Sequence, residues 1–207
     1  MVMNELAKLS AFACGVELLI YWGTVFIKGV RLARKIGKDP NFIPREKTGI
    51  YMRLVWTPAV IVWSILPWVA LSAGHHSSFW IRPMLPGPVA LAGALIGAVA
   101  VFMTFFCWHQ MGRSWRIGID PNEKTELVTT GSYRIIRHPI YALSILLTLG
   151  TLLAVFTWPM LIAAAINITM LQVEARREEQ YLLRKHGEPY AAYCRKVGRF
   201  IPRLNGV

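Results

Sequence analysis

The fold is constrained most strongly by five apolar stretches that polar connections separate. They cover approximately residues 6–27, 54–73, 88–107, 139–156 and 158–173. A helix needs roughly 20 apolar residues to cross the hydrocarbon layer of a bilayer. The chain has 207 residues, of which 55% are hydrophobic, so it has too much apolar surface for an ordinary soluble domain. The sequence therefore predicts an all-α polytopic membrane protein, with about five transmembrane helices in a single membrane-embedded domain over residues 1–207.

The lysines and arginines lie mainly in alternate connections, and this pattern predicts the orientation in the membrane. Of the 23 basic residues, eight fall in residues 28–53, five in residues 109–138 and eight after residue 173. Cytosolic connections of membrane proteins are enriched in Lys and Arg. We therefore expect the N-terminus outside, with these three segments and the C-terminus in the cytosol. The same rule accounts for the net charge of +12, so nucleic-acid binding is not predicted.

One connection, residues 126–141, has a pattern that membrane topology does not require. Its sequence is ELVTTGSYRIIRHPIY. Pro139 suits the first turn of a helix, and a residue before proline avoids the α region, which places His138 at the helix entrance. A helix N-terminus attracts anions, and Arg134 and Arg137 add positive charge beside it. The pattern predicts an anion-binding site at the cytosolic surface, and its alternative is simple positive-inside anchoring.

The fifth apolar stretch continues as a polar helix that carries a second group of charged residues. Leu171, Glu174, Glu178 and Leu182 share one face, and residues that favour helix continue to about residue 186. We expect a short further helix over residues 190–197. Carboxylates on this face, opposite the arginines of residues 126–141, predict a cytosolic pocket for a zwitterionic ligand.

Several kinds of chemistry are disfavoured by missing motifs. The chain has no Gly-x-Ser-x-Gly, no phosphate-binding Walker loop and no dinucleotide glycine fingerprint. Its five histidines form no His-x-x-x-His pair, and its three cysteines lie far apart. We therefore predict no metal site and no disulfide.

Two features inside the apolar stretches bear on packing. Glu17 lies within the first stretch, where a charged carboxylate costs about 2.5 to 3.5 kcal/mol on insertion scales. It is therefore a functional candidate, or else a protonated group hydrogen-bonded between helices. The third stretch contains Gly93 and Gly97, and small residues at such spacing predict the close approach of another helix.

Three groups of residues, taken in order, resemble the integral-membrane isoprenylcysteine carboxyl methyltransferases and their phospholipid methyltransferase relatives. The groups are Leu127-Val128-Thr129-x-Gly131-x-Tyr133-x-x-x-Arg137-His138-Pro139-x-Tyr141, then Glu178-Glu179, then Gly187-x-x-Tyr190-x-x-Tyr193 with Arg199-x-x-Pro202. They cover about residues 112–202. The resemblance implies S-adenosylmethionine as the methyl donor, with S-adenosylhomocysteine as the product. It also implies a cytosolic pocket closed by the C-terminal tail, and a lipophilic or small acceptor that enters from the bilayer.

The resemblance also implies roles for individual residues. The implied cofactor contacts are Thr125, Glu126, Leu127, Val128, Tyr133, Arg137, His138, Pro139, Ile140, Tyr141 and Glu178. The candidate catalytic residues are Glu174, Arg177 and Glu178. Prenylcysteine methyltransferases typically have an arginine near the acceptor carboxylate, four residues before the cofactor-binding glutamate. Glu174 stands there in this chain and favours a neutral or cationic acceptor, such as an amine or a thiol, with Arg177 able to neutralise it.

The methyltransferase prediction leaves the acceptor open, and four more specific or different functions are its alternatives. Within the family resemblance they are phospholipid N-methylation and thiol S-methylation. A membrane reductase that uses NADPH and a non-enzymatic lipid-binding membrane protein are the alternatives of other classes.

Overall fold

The computed structural model describes residues 5–37, 46–72, 85–111 and 127–203. Within these ranges the chain forms α-helices, one short 3-10 turn at Gly131–Arg134, and no strand. The helices are α1 (Glu5–Ile36), α2 (Lys47–Ser72), α3 (Gly87–Met111), α4 (Pro139–Ala154), α5 (Trp158–His186) and α6 (Glu188–Lys196). The all-α class predicted from the sequence is confirmed.

The helices have the length and surface of a protein that spans a membrane. Four of them, α1, α2, α3 and α5, are long and apolar enough to cross a bilayer. The apolar helix α4 has 16 residues and is about 24 Å long. Large apolar side chains such as Leu19, Phe26, Leu54, Phe102 and Ile162 are exposed on the outside of the bundle. This surface suits hydrocarbon, and the predicted polytopic membrane architecture is confirmed.

Two helix boundaries differ from the sequence prediction. The first helix continues to Ile36 instead of ending near residue 27, and the second begins at Lys47 instead of near residue 54. Both additions are rich in basic residues. Lys and Arg favour helix almost as well as Leu does, so a helix need not end where its apolar stretch ends.

Small residues bring α3 and α4 into close contact. A Cβ atom built on Gly93 would lie 2.5 Å from the carbonyl oxygen of Gly150, and one built on Gly150 would lie 2.6 Å from the carbonyl oxygen of Gly93. No side chain fits at such distances, so the two backbones touch through glycines. The close helix approach predicted at the third apolar stretch is confirmed.

Glu17 packs against this same region. Its Oε2 atom is buried beside Gly97 and has no hydrogen-bond partner among the described residues. The interhelical hydrogen bond expected of a protonated glutamate is therefore absent for this oxygen.

The C-terminal segment returns to the beginning of α4. The backbone N–H of Arg137 donates to the carbonyl of Gly198 at 2.8 Å, and that of His138 donates to the carbonyl of Arg199 at 3.0 Å. A glycine with positive φ, Gly187 at 59°, makes the turn between α5 and α6. Residues 187–199 therefore lie against the entrance of α4, where the family resemblance places a closing tail.

Candidate functional site

A cavity of about 360 Å³ lies at the end of the bundle where α2 and α4 begin. We call it the main cavity. It is lined by many of the residues that the sequence singled out: Leu127, Val128, Tyr133, Arg137, His138, Ile140, Tyr141, Glu174 and Glu178. Pro139 and Arg177 adjoin lining residues but do not line the cavity themselves. Thr125 and Glu126 lie outside the described residues.

His138 occupies the predicted position at the entrance of α4. It is the N-cap residue, with φ −125° and ψ 65°, and Pro139 follows at the first helical position. Its ring stacks on the ring of Tyr141, one turn later, with centroids 5.3 Å apart and planes within 3°. Its Nδ1 atom lies 3.6 Å from Glu178 Oε2, and its buried Nε2 atom lies 3.3 Å from Glu179 Oε1 without hydrogen-bond geometry. The stack therefore presents an aromatic surface and a polar edge at the cavity wall.

Arg137 is bonded to the protein on several sides. Its Nε atom donates to Glu179 Oε1 at 2.9 Å, and its Nη1 atom donates to the carbonyls of Cys194 and Val197. These bonds join the entrance of α4 to the polar part of α5 and to the tail. The sequence predicted a free cation for an anionic ligand, whereas the structure neutralises this guanidinium with Glu179.

Glu179 is the centre of this arrangement. Besides Arg137, it accepts hydrogen bonds from Arg199 Nε at 3.0 Å and from Arg199 Nη2 at 2.5 Å. Its hydrogen bonds raise the pKa of the Arg199 guanidinium above its usual value. We call Glu179, Arg137 and Arg199 the tail clasp. Sequence analysis gave Glu179 no role beyond the motif, and the one signal for its partner was that Arg199 belongs to the same ordered motif.

Tyr193 adds a neutral contact to the tail clasp. Its hydroxyl donates to the carbonyl oxygen of Tyr133 at 2.5 Å. Burial raises the pKa of Tyr193 to about 12, so the hydroxyl keeps its proton and remains a donor at physiological pH. The 3-10 turn that contains Tyr133 is thereby held against α6.

The two other carboxylates of α5 face the main cavity. Glu174 Oε2 accepts a hydrogen bond from Arg177 Nη1 at 2.6 Å, and Arg177 also bonds Glu46, just before α2. The predicted pairing of Glu174 with Arg177 is therefore present, and Arg177 shares its single positive charge between Glu174 and Glu46. Glu178 stands one turn further along, beside His138, and 24% of its side chain is exposed.

Part of the lining comes from helices that sequence analysis had assigned only to membrane crossing. Two hydrogen-bonded pairs of side chains lie deeper in the bundle. Tyr21 bonds Ser144 at 2.7 Å, and Trp56 donates to Asn167 at 2.6 Å. Nearer the cavity mouth is Arg53 of α2. The signal for α2 was present in the sequence, since Arg53, Trp56, Val60 and Trp63 recur at helical spacing on one face.

No candidate metal centre occurs in the part of the chain that the structure describes. Nowhere in those ranges do three or more His, Cys, Asp or Glu side chains come together as a metal site would require. The chemistry of the main cavity is therefore considered from its aromatic, carboxylate and guanidinium groups.

Comparison with known proteins finds a family match in the central part of the chain. Residues 92–184 match the model of the isoprenylcysteine carboxyl methyltransferase family. The match runs from α3 to the end of α5 and includes the entrance of α4 and the carboxylates of α5. The resemblance that the motifs indicated is thereby confirmed for this part of the chain.

Three curated relatives align with most of the chain. The nickel-cobalt-cadmium resistance protein NccN of Alcaligenes xylosoxydans xylosoxydans is 29% identical over 170 residues, which cover 80% of this chain and 68% of the relative. The cobalt-zinc-cadmium resistance protein CzcN of Cupriavidus metallidurans is 25% identical, with the same two coverages. A methanethiol S-methyltransferase of a Pseudomonas species is 29% identical over 73% of this chain and 54% of that enzyme.

Proposed function

Because residues 92–184 match the isoprenylcysteine carboxyl methyltransferase family, we propose that this protein is a membrane methyltransferase. It transfers a methyl group from S-adenosylmethionine to a small or lipid-like acceptor that enters from the bilayer. The observation that carries the proposal is the main cavity, which collects implied cofactor residues from three places: the connection before α4, the first turn of α4, and the polar part of α5.

The residues of the main cavity fit the proposed cofactor. S-Adenosylmethionine has an aromatic base, hydroxyls, an amino acid group and a sulfonium cation. The stacked rings of His138 and Tyr141 suit a flat base or a cation. The Glu178 carboxylate suits an ammonium or hydroxyl donor. The His138 Nδ1 atom, 3.6 Å from Glu178 Oε2, adds a polar contact.

Methyl transfer requires the alignment of donor and acceptor more than the activation of either. The sulfonium of the donor supplies an already activated methyl group, so orienting the two reactants provides most of the acceleration. The protein contributes the walls that orient them, and the tail clasp closes the cavity against water. Glu174 and Glu178 face the cavity, and Glu174 is placed to accept a proton from an acceptor.

Binding measurements separate this function from its alternatives. Detergent-purified protein is titrated calorimetrically with S-adenosylhomocysteine and, separately, with NADPH. We expect S-adenosylhomocysteine to bind at one site per chain and NADPH to give no heat of binding. Binding of NADPH alone would instead establish a reductase, and binding of neither would favour a lipid-binding protein.

The names of the relatives bear on the acceptor. One relative is named for the S-methylation of methanethiol, which supports a thiol among the candidate acceptors. The two metal-resistance names describe a phenotype and specify no acceptor. The pairing with Arg177, which is shared with Glu46, offsets only part of the negative charge of Glu174 and therefore weakens the argument against a carboxylate acceptor.

The proposed orientation places the main cavity at the cytosolic face. We expect cysteines introduced near Lys35 and at Asn122 to react with an impermeant thiol reagent only from the cytosolic side. The half-buried native Cys194 is first replaced by serine to remove background. Labelling of either introduced site from outside would contradict the orientation.

A further inference from the structure

The entrance of α4 lies at the level of the hydrocarbon boundary. The apolar helix α4 is about 24 Å long, less than the roughly 30 Å of hydrocarbon in a bilayer, so neither of its ends stands far outside that layer. The 3-10 turn before α4 is bonded to α3 through a hydrogen bond of 2.8 Å from the Ser132 N–H to Gln110 Oε1. Phe106, one turn earlier on α3, is 51% exposed, like other outward-facing apolar side chains of the bundle. The 3-10 turn therefore lies in the region of the lipid headgroups.

Two large apolar side chains are exposed where the C-terminal tail meets this turn. Ile135 follows the 3-10 turn and is 58% exposed. Ile201 of the tail is 76% exposed, more than any other large apolar side chain of the described residues. The two segments run side by side, since Ile136 and Gly198 form a parallel bridge. At the edge of a bilayer, such side chains are covered by the upper part of the lipid acyl chains.

An exposed arginine accompanies each of these isoleucines. Arg134 precedes Ile135, and Arg203 follows Ile201 by two positions. Arg203 donates to carbonyl oxygens at the end of α6, and neither arginine forms an ion pair with an acidic side chain of the described residues. Apolar side chains flanked by such cations are typical of a segment that lies in a membrane interface, where the cations bind lipid phosphates. We call Ile135, Ile201, Arg134 and Arg203 the interfacial patch.

The tail that carries half of the interfacial patch also closes the main cavity. Arg199, two residues before Ile201, donates to Glu179 in the tail clasp. The ring of Phe200 lies 6.0 Å from the ring of His138, measured between centroids. Because these contacts and Ile201 belong to one short segment, an interaction that holds Ile201 and Arg203 at the membrane surface also favours the closed position of the tail.

We propose that the interfacial patch binds the headgroups of anionic phospholipids in the adjacent leaflet. The two isoleucines enter the upper acyl region, and the two guanidiniums bind phosphates through charge-assisted hydrogen bonds. Anionic lipid thereby stabilises the closed tail and strengthens the retention of the cofactor. The effect on the cofactor rests on the proposed methyltransferase function, whereas the lipid contact does not depend on it.

A depth measurement tests the contact with lipid. Ile201→Cys and a control, Arg184→Cys at an exposed position near the end of α5, are made in a Cys194→Ser background and labelled with bimane. The proteins are placed in nanodiscs that contain lipid spin-labelled near the top of the acyl chain. We expect the label at position 201 to be quenched at least about twofold more than the label at position 184, because only the former enters the interface. Equal quenching at the two positions would overturn the contact.

The lipid dependence of hydrogen exchange tests the charge. Wild type, Arg203→Gln, Arg203→Lys and the control Arg184→Gln are compared in nanodiscs of phosphatidylcholine, with and without phosphatidylglycerol. We expect phosphatidylglycerol to slow exchange over residues 188–203 of wild type about fivefold or more, the contribution of one basic residue near an anionic surface. Arg203→Gln should lose about fivefold of this gain, and Arg203→Lys and the control should keep most of it. The lost bonds of Arg203 to α6 affect both lipids equally and cancel in the ratio.

Titration with S-adenosylhomocysteine in the same nanodiscs tests the link to the main cavity. We expect phosphatidylglycerol to raise the affinity of wild type about threefold to fivefold, and that of Arg203→Gln less. Slower exchange with unchanged affinity would overturn this link. Exchange that is equal in the two lipids would overturn the lipid-binding surface and leave the methyltransferase function intact.

Two further outcomes have distinct meanings. If wild type does not bind S-adenosylhomocysteine in either lipid, the proposed function fails, while slower exchange in phosphatidylglycerol still supports the lipid-binding surface. Exchange over residues 188–203 that depends on the number of chains in each nanodisc, and not on the lipid, would assign the interfacial patch to a second copy of the chain and overturn the proposal.

Discussion

Two adjacent carboxylates of α5 have opposite uses. Glu178 faces the main cavity and keeps part of its surface exposed, whereas Glu179 faces the tail and is held by Arg137 and Arg199. Neighbouring residues on a helix point about 100° apart, so one turn of α5 serves both a ligand site and a structural contact. The difference teaches that adjacent residues of one motif can have different roles. The buried, fully paired carboxylate organises the site, and the partly exposed one is available to a ligand.

The largest effect is expected at the tail clasp. Replacing Glu179 by Ala leaves the buried Arg137 guanidinium and the partly exposed Arg199 guanidinium without their carboxylate, and breaking a buried ion pair such as that of Arg137 costs about 3 to 5 kcal/mol. We expect a lower free energy of unfolding, faster hydrogen exchange over residues 188–203, and loss of S-adenosylhomocysteine binding. Thermal unfolding in detergent and hydrogen exchange measure these changes. If Glu178→Ala lowers the free energy of unfolding as much as Glu179→Ala does, the proposed difference in role between the two carboxylates is wrong.

A smaller effect, confined to the ligand, is expected at His138. His138→Ala removes both the stack on Tyr141 and the polar ring edge, so we expect S-adenosylhomocysteine to bind roughly tenfold to a hundredfold more weakly. His109→Ala, at an exposed histidine of α3, is the matched control. Calorimetry measures the affinity of both variants for S-adenosylhomocysteine. Unchanged affinity in a folded His138→Ala protein would return this motif to membrane anchoring.

Glu178→Gln tests the cavity face of α5 with the shape of the side chain retained. We expect S-adenosylhomocysteine affinity to fall about tenfold, the effect of weakening one charge-assisted hydrogen bond. The free energy of unfolding should stay within about 0.5 kcal/mol of wild type, because the carboxylate is not part of the tail clasp. A stability loss as large as that of Glu179→Ala would mean that the two carboxylates share one structural role.

The smallest effect is expected at the neutral contact of the tail. Tyr193→Phe removes the hydrogen bond to the Tyr133 carbonyl, which is worth about 1 kcal/mol of stability. Because burial raises the pKa of Tyr193 to about 12, the difference between wild type and Tyr193→Phe should be present below pH 10 and shrink as the pH rises towards 12. Urea titrations of both proteins across this range provide the measurement. A difference that already disappears near neutral pH would show that the hydroxyl is not the donor.

Much of the fold and part of the site follow from local sequence. The five apolar stretches predicted the positions and class of α1 to α5, because crossing a bilayer requires a minimum apolar length, and four of these helices reach that length. The His138-Pro139 pair set the entrance of α4, because proline restricts its own φ and the conformation of the residue before it. Gly93 and Gly97 indicated close packing because small residues at this spacing allow another helix to approach. Each of these inferences depends on a few neighbouring residues.

Tertiary structure decided which charged side chains pair with one another and which line the main cavity. Arg137 and Glu179 are 42 positions apart, and neither sequence nor helix periodicity pairs them. Arg53 looked like a positive-inside residue flanking a membrane helix, yet it lines the main cavity together with residues of the family motif. Local patterns determine where a chain is helical and apolar. The partner of a charge depends on helices that meet only after the whole bundle has packed, and that packing brings the guanidiniums of Arg137 and Arg199 to Glu179.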